Sequence, residues 1–141
     1  MIDDFITTEA LLDKTKAFAL ANGYRLDKQG VKFEPQTNET YLKETFLGND
    51  TDPLGLAAES SDRQDPIYQI DVFTPKDQGG PWAARVIVNL LKLEFQRASF
   101  ILDNAAQKVQ ISNVSAREMP ANDTHNWSSV SIDLVVIASN T

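Results

Sequence analysis

The sequence contains no cysteine among its 141 residues. Disulfide bonds, thiolate metal clusters and cysteine nucleophiles are therefore excluded, and synthesis in a reducing compartment is favoured.

Histidine is nearly absent as well. His125 is the only histidine, and we predict that it lies in an exposed polar loop. No Gly-x-Ser-x-Gly motif accompanies it, so the sequence does not show a nucleophilic triad.

Long apolar runs are also missing. The longest apolar stretches are residues 86–93, which polar residues interrupt, and residues 134–138, which form too short a run. A membrane-spanning helix needs about 20 apolar residues. Residues 1–5 are acidic and lack the cationic start and apolar run of a secretion signal. The sequence therefore predicts a soluble protein made in the cytoplasm, with no membrane partner.

Basic residues are in the minority. Thirteen Lys and Arg residues stand against twenty Asp and Glu residues, which gives a formal charge of -7 and a pI near 4.6. A protein that holds nucleic-acid phosphates needs the opposite balance of charge. We therefore expect no specific nucleic-acid binding.

The sequence does have the composition of one globular domain over residues 1–141. Hydrophobic residues make up 42% of the chain and charged residues 23%, which is close to the average for folded proteins and argues against disorder. The length also falls within the usual size of one domain. We expect a single core.

Two segments have the pattern of helices. Residues 3–21 are mostly helix-forming, and Gly23 supplies the left-handed residue that often ends a helix. Phe5, Leu12 and Ala19 repeat on one face of this helix, and the residues beside them are Leu11, Thr15 and Phe18. Residues 81–96 begin with a proline, which is favoured at the first helical position.

The second of these helices is apolar around most of its surface. Its polar residues fall on one narrow stripe, with Glu94 as the exception: Arg85, Asn89, Lys92 and Gln96. Such a helix needs cover from a sheet and from a further element, which is either the first helix or another subunit.

The other regular segments are typical of strands, because they alternate or are rich in β-branched and aromatic residues. They are residues 40–47, 67–73, 99–102, 108–116 and 130–138. The connection over residues 24–38 has room for a further short strand at residues 31–33. The alternation slips at Ser112 and Asn113, which predicts a β-bulge. The last strand is apolar on both sides at its end, which indicates a central strand or an interface. The sequence thus predicts an α+β domain with a mostly antiparallel sheet of about four to five strands and two helices packed on one face.

Residues 48–66 form an acidic segment without any regular period. It holds five acids and one arginine, and irregular loops of this length are usually functional or disordered. Three interpretations stay open: a solvated loop, a cation site, or a segment that becomes ordered against a partner. The apolar centre of the segment, which includes Leu54 and Leu56, favours contact with the core or a neighbour.

No motif supports catalysis or a cofactor. Residues 50–55 are superficially similar to a calcium loop, but Leu54 stands where an oxygen ligand is needed and Ser61 replaces the bidentate glutamate. A small hydrolase or metal-dependent enzyme would have to use Asp71, Asp123 and His125, which no motif joins. We therefore expect no enzyme activity, no cofactor and no metal site.

Several segments together resemble one known family. They are residues 41–47, residues 52–56, residues 68–73 leading to Gly79 and Gly80, and Trp127 before the terminal strand. From about Tyr41 to its end, the sequence resembles the small phage and prophage tail terminator proteins, also called the minor tail protein U type. The first forty residues are similar only in being a helix and a connector.

The resemblance implies a structural virion protein of the phage tail and not an enzyme. Such subunits assemble as a ring, usually a hexamer, at the head-proximal end of the tail tube, where the ring stops tube polymerisation and offers a docking face to the neck. The implied partners are further copies of the chain, the tail tube protein and a neck or head-completion protein. The interface candidates are Pro53, Leu54, Gly55, Leu56 and Trp82.

Two alternatives remain. Another head-tail connector or neck component can share the size, fold class and acidity of this chain. A small ligand-binding or adaptor domain would remain a monomer at every concentration.

Overall fold

The structure is a computed structural model that describes residues 2–48, 52–53 and 61–139, of which residues 52–53 are described by their backbone alone. In chain order, the elements within these ranges are α1 (Asp4–Asn22), β1 (Arg25–Asp27), β2 (Tyr41–Leu47), β3 (Asp52–Pro53), β4 (Asp62–Gln64), β5 (Ile67–Pro75), α2 (Gly80–Gln96), β6 (Phe100–Asp103), β7 (Gln107–Met119) and β8 (His125–Ala138). Neither helix of the described ranges is long and apolar enough to cross a bilayer.

Both ends of α1 are capped, and the end predicted at Gly23 is confirmed. The Asp3 carboxylate accepts a hydrogen bond of 2.9 Å from the Phe5 amide, which satisfies a donor of the first turn. At the other end, Gly23 has a φ of 74°, a left-handed conformation that strains any residue with a Cβ atom.

The buried face of α1 differs from the predicted one. Thr7, Leu11, Thr15 and Ala19 are the buried residues, whereas Phe5 is exposed. The two threonines are not apolar enough to show in a hydrophobic pattern, yet both hydroxyls have hydrogen-bond partners inside the fold. The prediction from hydrophobic spacing was therefore right for Ala19 and its neighbours Leu11 and Thr15, and wrong for Phe5.

The described strands form one sheet in the order β1-β2-β5-β8-β4-β3, with β7 on the other edge of β8 and β6 on β7. The β1–β2 pair is parallel and the remaining pairs are antiparallel. The α+β class is therefore confirmed, but the sheet is mixed and larger than the predicted four to five strands. The difference comes from β1, β3 and β4, which have only two or three residues each. The candidate strand at residues 31–33 is wrong, because the short strand of this connection is β1.

The longest strand, β8, lies in the centre of the sheet. It pairs with β5 and β4 along one edge and with β7 along the other. Alternate residues of β8 are buried in the core: Val130, Ile132, Leu134 and Val136. The register of β7 shifts between Ile111 and Asn113, so the predicted bulge is confirmed together with the central strand.

Both helices pack on the same face of the sheet, around Tyr68 of β5. The Tyr68 hydroxyl lies 2.9 Å from the Thr15 hydroxyl of α1, and the Tyr68 ring centroid lies 6.4 Å from that of Phe95 on α2. A 3.8 Å ion pair between Lys14 and Glu94 links the two helices directly. The predicted placement of the helices on one face is confirmed.

Candidate functional site

The outer surface of α2 carries an apolar stripe. Trp82 is 67% exposed and Leu90 is 46% exposed, and Val86 and Leu93 are exposed as well. At 3.6 residues per turn these four side chains fall within a quarter of the helix circumference. The buried residues of α2 lie on the opposite side: Ala84, Ile87, Val88, Leu91 and Phe95. Burial against the sheet therefore leaves a second apolar surface without a partner in the described chain.

Basic side chains flank this stripe. Arg85 forms an ion pair with Glu118 of β7, and its guanidinium lies 5.9 Å from the centroid of the Trp82 ring. Lys92 and Arg97 form no ion pair with any residue that the structure describes. On a chain with a net charge of -7, α2 is thus a locally basic surface.

The stripe extends into a cleft between α1 and α2. The cleft has a volume of about 450 Å³, and its apolar lining comes from Leu90 and Leu93 on α2 and from Ala17 and Phe18 on α1. Arg97 also lines it. The apolar surface of α2 therefore continues onto one flank of α1.

A second groove lies on the opposite flank of α1, between the helix and β2. It has a volume of about 420 Å³ and an apolar lining from Phe5, Leu12 and Phe46. Its charged lining is mostly acidic, from Glu9, Asp13, Glu44 and the single base Lys16. Phe5 is 70% exposed at the edge of this groove. The groove was not predicted, because it joins Phe5 and Leu12 of α1 to Phe46 of β2.

The Glu44 side chain is held at the base of this groove. It is buried, and its carboxylate accepts a hydrogen bond of 2.9 Å from the Gln29 amide. The Gln29 side chain in turn accepts a hydrogen bond of 2.7 Å from the Phe46 amide. These bonds fix the connection after β1 against β2 and give the groove one well-defined wall.

Aromatic side chains form a row on the helix-free face of the sheet. The Phe73 ring stacks on Tyr41 at 4.7 Å and on Trp127 at 5.5 Å between centroids. The Trp127 indole donates a 3.0 Å hydrogen bond to Asp71. Burial is the main cause that raises the pKa of Tyr41, and nearby carboxylates raise it further. The row joins β2, β5 and β8 across the sheet.

His125 lies at the end of this row, and its predicted exposure was wrong. Its side chain is only 3% exposed, and its ring meets Tyr41 and Phe73 edge-on. The ring nitrogens lie 2.8 Å from the Glu39 carbonyl and 2.8 Å from the Thr124 hydroxyl. The polar groups around His125 form hydrogen bonds with one another inside the fold. A run of polar residues in the sequence looks the same whether the residues are exposed or are buried with hydrogen-bond partners.

The structure does not join the three residues of the enzyme alternative. Asp71 accepts hydrogen bonds from Trp127 and Gln69, Asp123 is exposed in a turn, and both nitrogens of His125 have other partners. No group of acidic, histidine or cysteine side chains in the described ranges is arranged to hold a metal ion.

Among the predicted interface residues, Trp82 lies on the exposed stripe of α2. Pro53 is in β3, opposite Asp62 of β4. Leu54, Gly55 and Leu56 fall outside the described residues. Trp82 is therefore exposed on the stripe, and the assignment of all five residues to an interface stays a prediction from the sequence.

Comparisons with known proteins identify the fold and the family of this chain. A solved protein chain superposes on this one with a TM-score of 0.69 and 17% sequence identity, covering 98% of this chain and 96% of that chain, which shows the fold. No curated protein sequence matches significantly. The sequence profile described as "Phage tail terminator protein" matches residues 7–134, from the first turn of α1 into β8. Because that match spans most of the chain, the protein belongs to the phage tail terminator family and has a structural role in a phage tail.

Proposed function

We propose that this chain forms a ring of identical copies, a hexamer, at the head-proximal end of a phage tail tube. There the ring ends polymerisation of the tube and presents a docking face to the neck. The observation that carries the proposal is the exposed apolar stripe of α2, on a subunit that belongs to the tail terminator family.

An exposed apolar stripe favours contact with another protein surface. Trp82, Val86, Leu90 and Leu93 are all at least 43% exposed on one helix, and contiguous exposed apolar side chains mark interaction sites. If the stripe contacts a different surface of the next copy, the contact is heterologous, and a heterologous contact with a closing rotation produces a ring.

The charge of the chain suits a ring through which DNA passes. A net charge of -7 opposes tight binding of a polyanion. The genome would then move through the bore without being held by the subunits. This supports a role in tail structure and assigns no nucleic-acid recognition to the chain.

The interface candidates from the sequence belong to the same proposal. Leu54 and Leu56, with Pro53 and Gly55 beside them, are apolar positions in an acidic segment. In a ring they would contact a neighbouring copy. Alanine at Leu54 and Leu56 is then expected to weaken assembly and leave the circular dichroism spectrum of the monomer unchanged.

Deletion of the gene from its phage tests the proposal. We expect headless tails of abnormal length, because nothing ends the polymerisation of the tube, and a plasmid copy of the gene should restore normal tails. Tails of normal length in the deletion phage would contradict the terminator role. If the gene product is found on isolated heads and not on isolated tails by electron microscopy, the protein is a neck component instead.

A further inference from the structure

We propose that the α2 stripe of one copy docks into the acidic groove between α1 and β2 of the next copy. The acidic groove is the one lined by Phe5, Glu9, Leu12, Asp13 and Phe46. This inference rests on the proposed ring and names the two surfaces that would build it.

The two surfaces lie at different places on the molecule. The cleft on the α2 side of α1 uses Lys14, Ala17, Phe18 and Ala21, whereas the acidic groove uses residues of α1 such as Phe5, Glu9 and Leu12. At 3.6 residues per turn these two sets lie on opposite flanks of α1. One copy therefore presents the stripe and the groove to two different neighbours, as a ring requires.

The charges of the two surfaces are complementary. Lys92 and Arg97 beside the stripe and Glu9 and Asp13 in the groove form no ion pairs among the described residues. Each unpaired set would find opposite charges on the next copy. Such complementarity speeds association and disfavours wrong pairings.

The stripe and the groove extend over similar lengths of their helices, and the apolar part of the groove on α1 reaches from Phe5 to Leu12. The stripe from Trp82 to Leu93 is a ridge on a helix, and the groove runs along α1 from Phe5 to Lys16. Each covers eleven residue steps, which is about 16 Å at the helical rise of 1.5 Å per residue. An apolar helix face in a groove is a common mode of recognition between proteins.

A contact between the α2 stripes of two copies fits the charges of the chain less well than the proposed pairing. It would bring Lys92 and Arg97 of both copies into one interface. Glu94, the acid available on the same helix, already pairs with Lys14 of its own chain. Like charges without a partner would oppose that arrangement.

Two charge-reversal variants in the deletion phage test the pairing. In one, Lys92→Glu and Arg97→Glu make the stripe acidic; in the other, Glu9→Lys and Asp13→Lys make the groove basic. Each variant alone has two like-charged surfaces and is expected not to restore normal tails. Co-expression of both variants creates an alternating ring in which every contact is again complementary, so tail length should be restored. Lys32→Glu with Lys76→Glu, on other exposed positions, is the matched control for charge and should complement alone.

The outcomes separate the pairing from the ring itself. If each reversal variant complements alone, or if the two folded variants fail together as they do singly, the pairing is wrong while the terminator role stands. If the basic-groove variant complements alone and also rescues the acidic-stripe variant, α2 contacts α2 and the pairing is wrong. If the deletion phage has normal tails, the terminator role and the pairing both fail. Circular dichroism of each purified variant verifies that it folds.

Discussion

The hydroxyl groups of Thr15 on α1 and Tyr68 on β5 lie 2.9 Å apart, and both side chains are fully buried. This hydrogen bond ties the first helix to the middle of the sheet. The Thr15 hydroxyl is also 2.9 Å from the Leu11 carbonyl, one helical turn earlier. Two residues with polar groups, Thr15 and Tyr68, are therefore part of the contact that positions α1. The position of α1 matters for the surface, because α1 forms one wall of the cleft beside α2 and one wall of the acidic groove.

Replacement of Tyr68 by phenylalanine should destabilise the fold at neutral pH. The substitution removes the hydroxyl and keeps the ring, so we expect a loss of about 1 kcal/mol in the free energy of unfolding. Urea denaturation followed by circular dichroism measures it. A matched Tyr24→Phe substitution removes a phenol from a half-buried position and should cost less. Equal stability of Tyr68→Phe and the wild type would show that the hydrogen bond between Thr15 and Tyr68 does not contribute to the free energy of unfolding.

Tyr68 should also make the free energy of unfolding depend on pH in the alkaline range. Burial is the main cause that raises the pKa of Tyr68, and the nearby Glu44 carboxylate raises it further, while the hydrogen bond from Thr15 opposes them. The phenol thus stays neutral in the folded protein and ionises near 10 in the unfolded chain. Its contribution is fully present below about pH 10 and declines as the pH rises above it. Tyr68→Phe should therefore lose less stability than the wild type between about pH 9 and 11, and parallel losses would contradict this.

Neighbouring leucines on α2 should separate folding from assembly. Leu91 is fully buried, whereas Leu90 is 46% exposed. Leu91→Ala is expected to lower the free energy of unfolding by about 2–5 kcal/mol. Leu90→Ala should change it by about 0.5 kcal/mol or less and weaken self-association instead. Urea denaturation and sedimentation velocity give the two quantities, and a Leu90→Ala chain that assembles like the wild type would remove the stripe from the interface.

His125 is expected to matter for stability and not for chemistry. His125→Phe keeps an aromatic ring beside Tyr41 and Phe73 but leaves the Glu39 carbonyl without its partner. We expect a loss of about 1–3 kcal/mol in unfolding free energy. Asp123→Asn, two positions earlier on the exposed turn, is the control and should be nearly neutral. A variant at His125 as stable as the wild type would mean that its hydrogen bonds do not hold the fold.

Engineered cysteines can report the contact between copies, because the chain has none of its own. Glu9 lies near the middle of the acidic groove and Val86 near the middle of the stripe. A chain with both Glu9→Cys and Val86→Cys should give a ladder of cross-linked oligomers with a short thiol-specific reagent. Each single variant should remain uncross-linked. Cross-linked dimers from Val86→Cys alone would indicate a symmetric contact between the α2 helices of two copies.

Much of the fold followed from the sequence, and the exceptions have physical causes. Pro81 predicted the start of α2 to within one residue, and the two-sided apolarity of β8 indicated a central strand or an interface, because both are local signals. Strands of two or three residues, such as β1, carry too few residues for a pattern. The buried faces around Thr7 and Thr15, and the buried His125, depend on hydrogen-bond partners far away in the chain, which no local pattern contains.

The candidate surfaces were predictable to a similar extent. The excess of apolar residues on α2 indicated a second contact surface, and the structure shows Trp82 exposed on it. The acidic groove was not foreseen, because it joins Phe5 and Leu12 of α1 to Phe46 of β2. A surface built from two elements requires their relative placement, and a single sequence does not supply it.

The mass of the protein in solution and on purified tails tests the central claim most directly. One chain has a mass of 15.7 kDa, so a hexamer has six times that mass. We expect sedimentation velocity over a range of concentrations, with and without tails from the deletion phage, to show a shift from one copy to six, with the six-copy species bound at tail ends. A single species of 15.7 kDa at every concentration, which also fails to bind tails, would contradict the account.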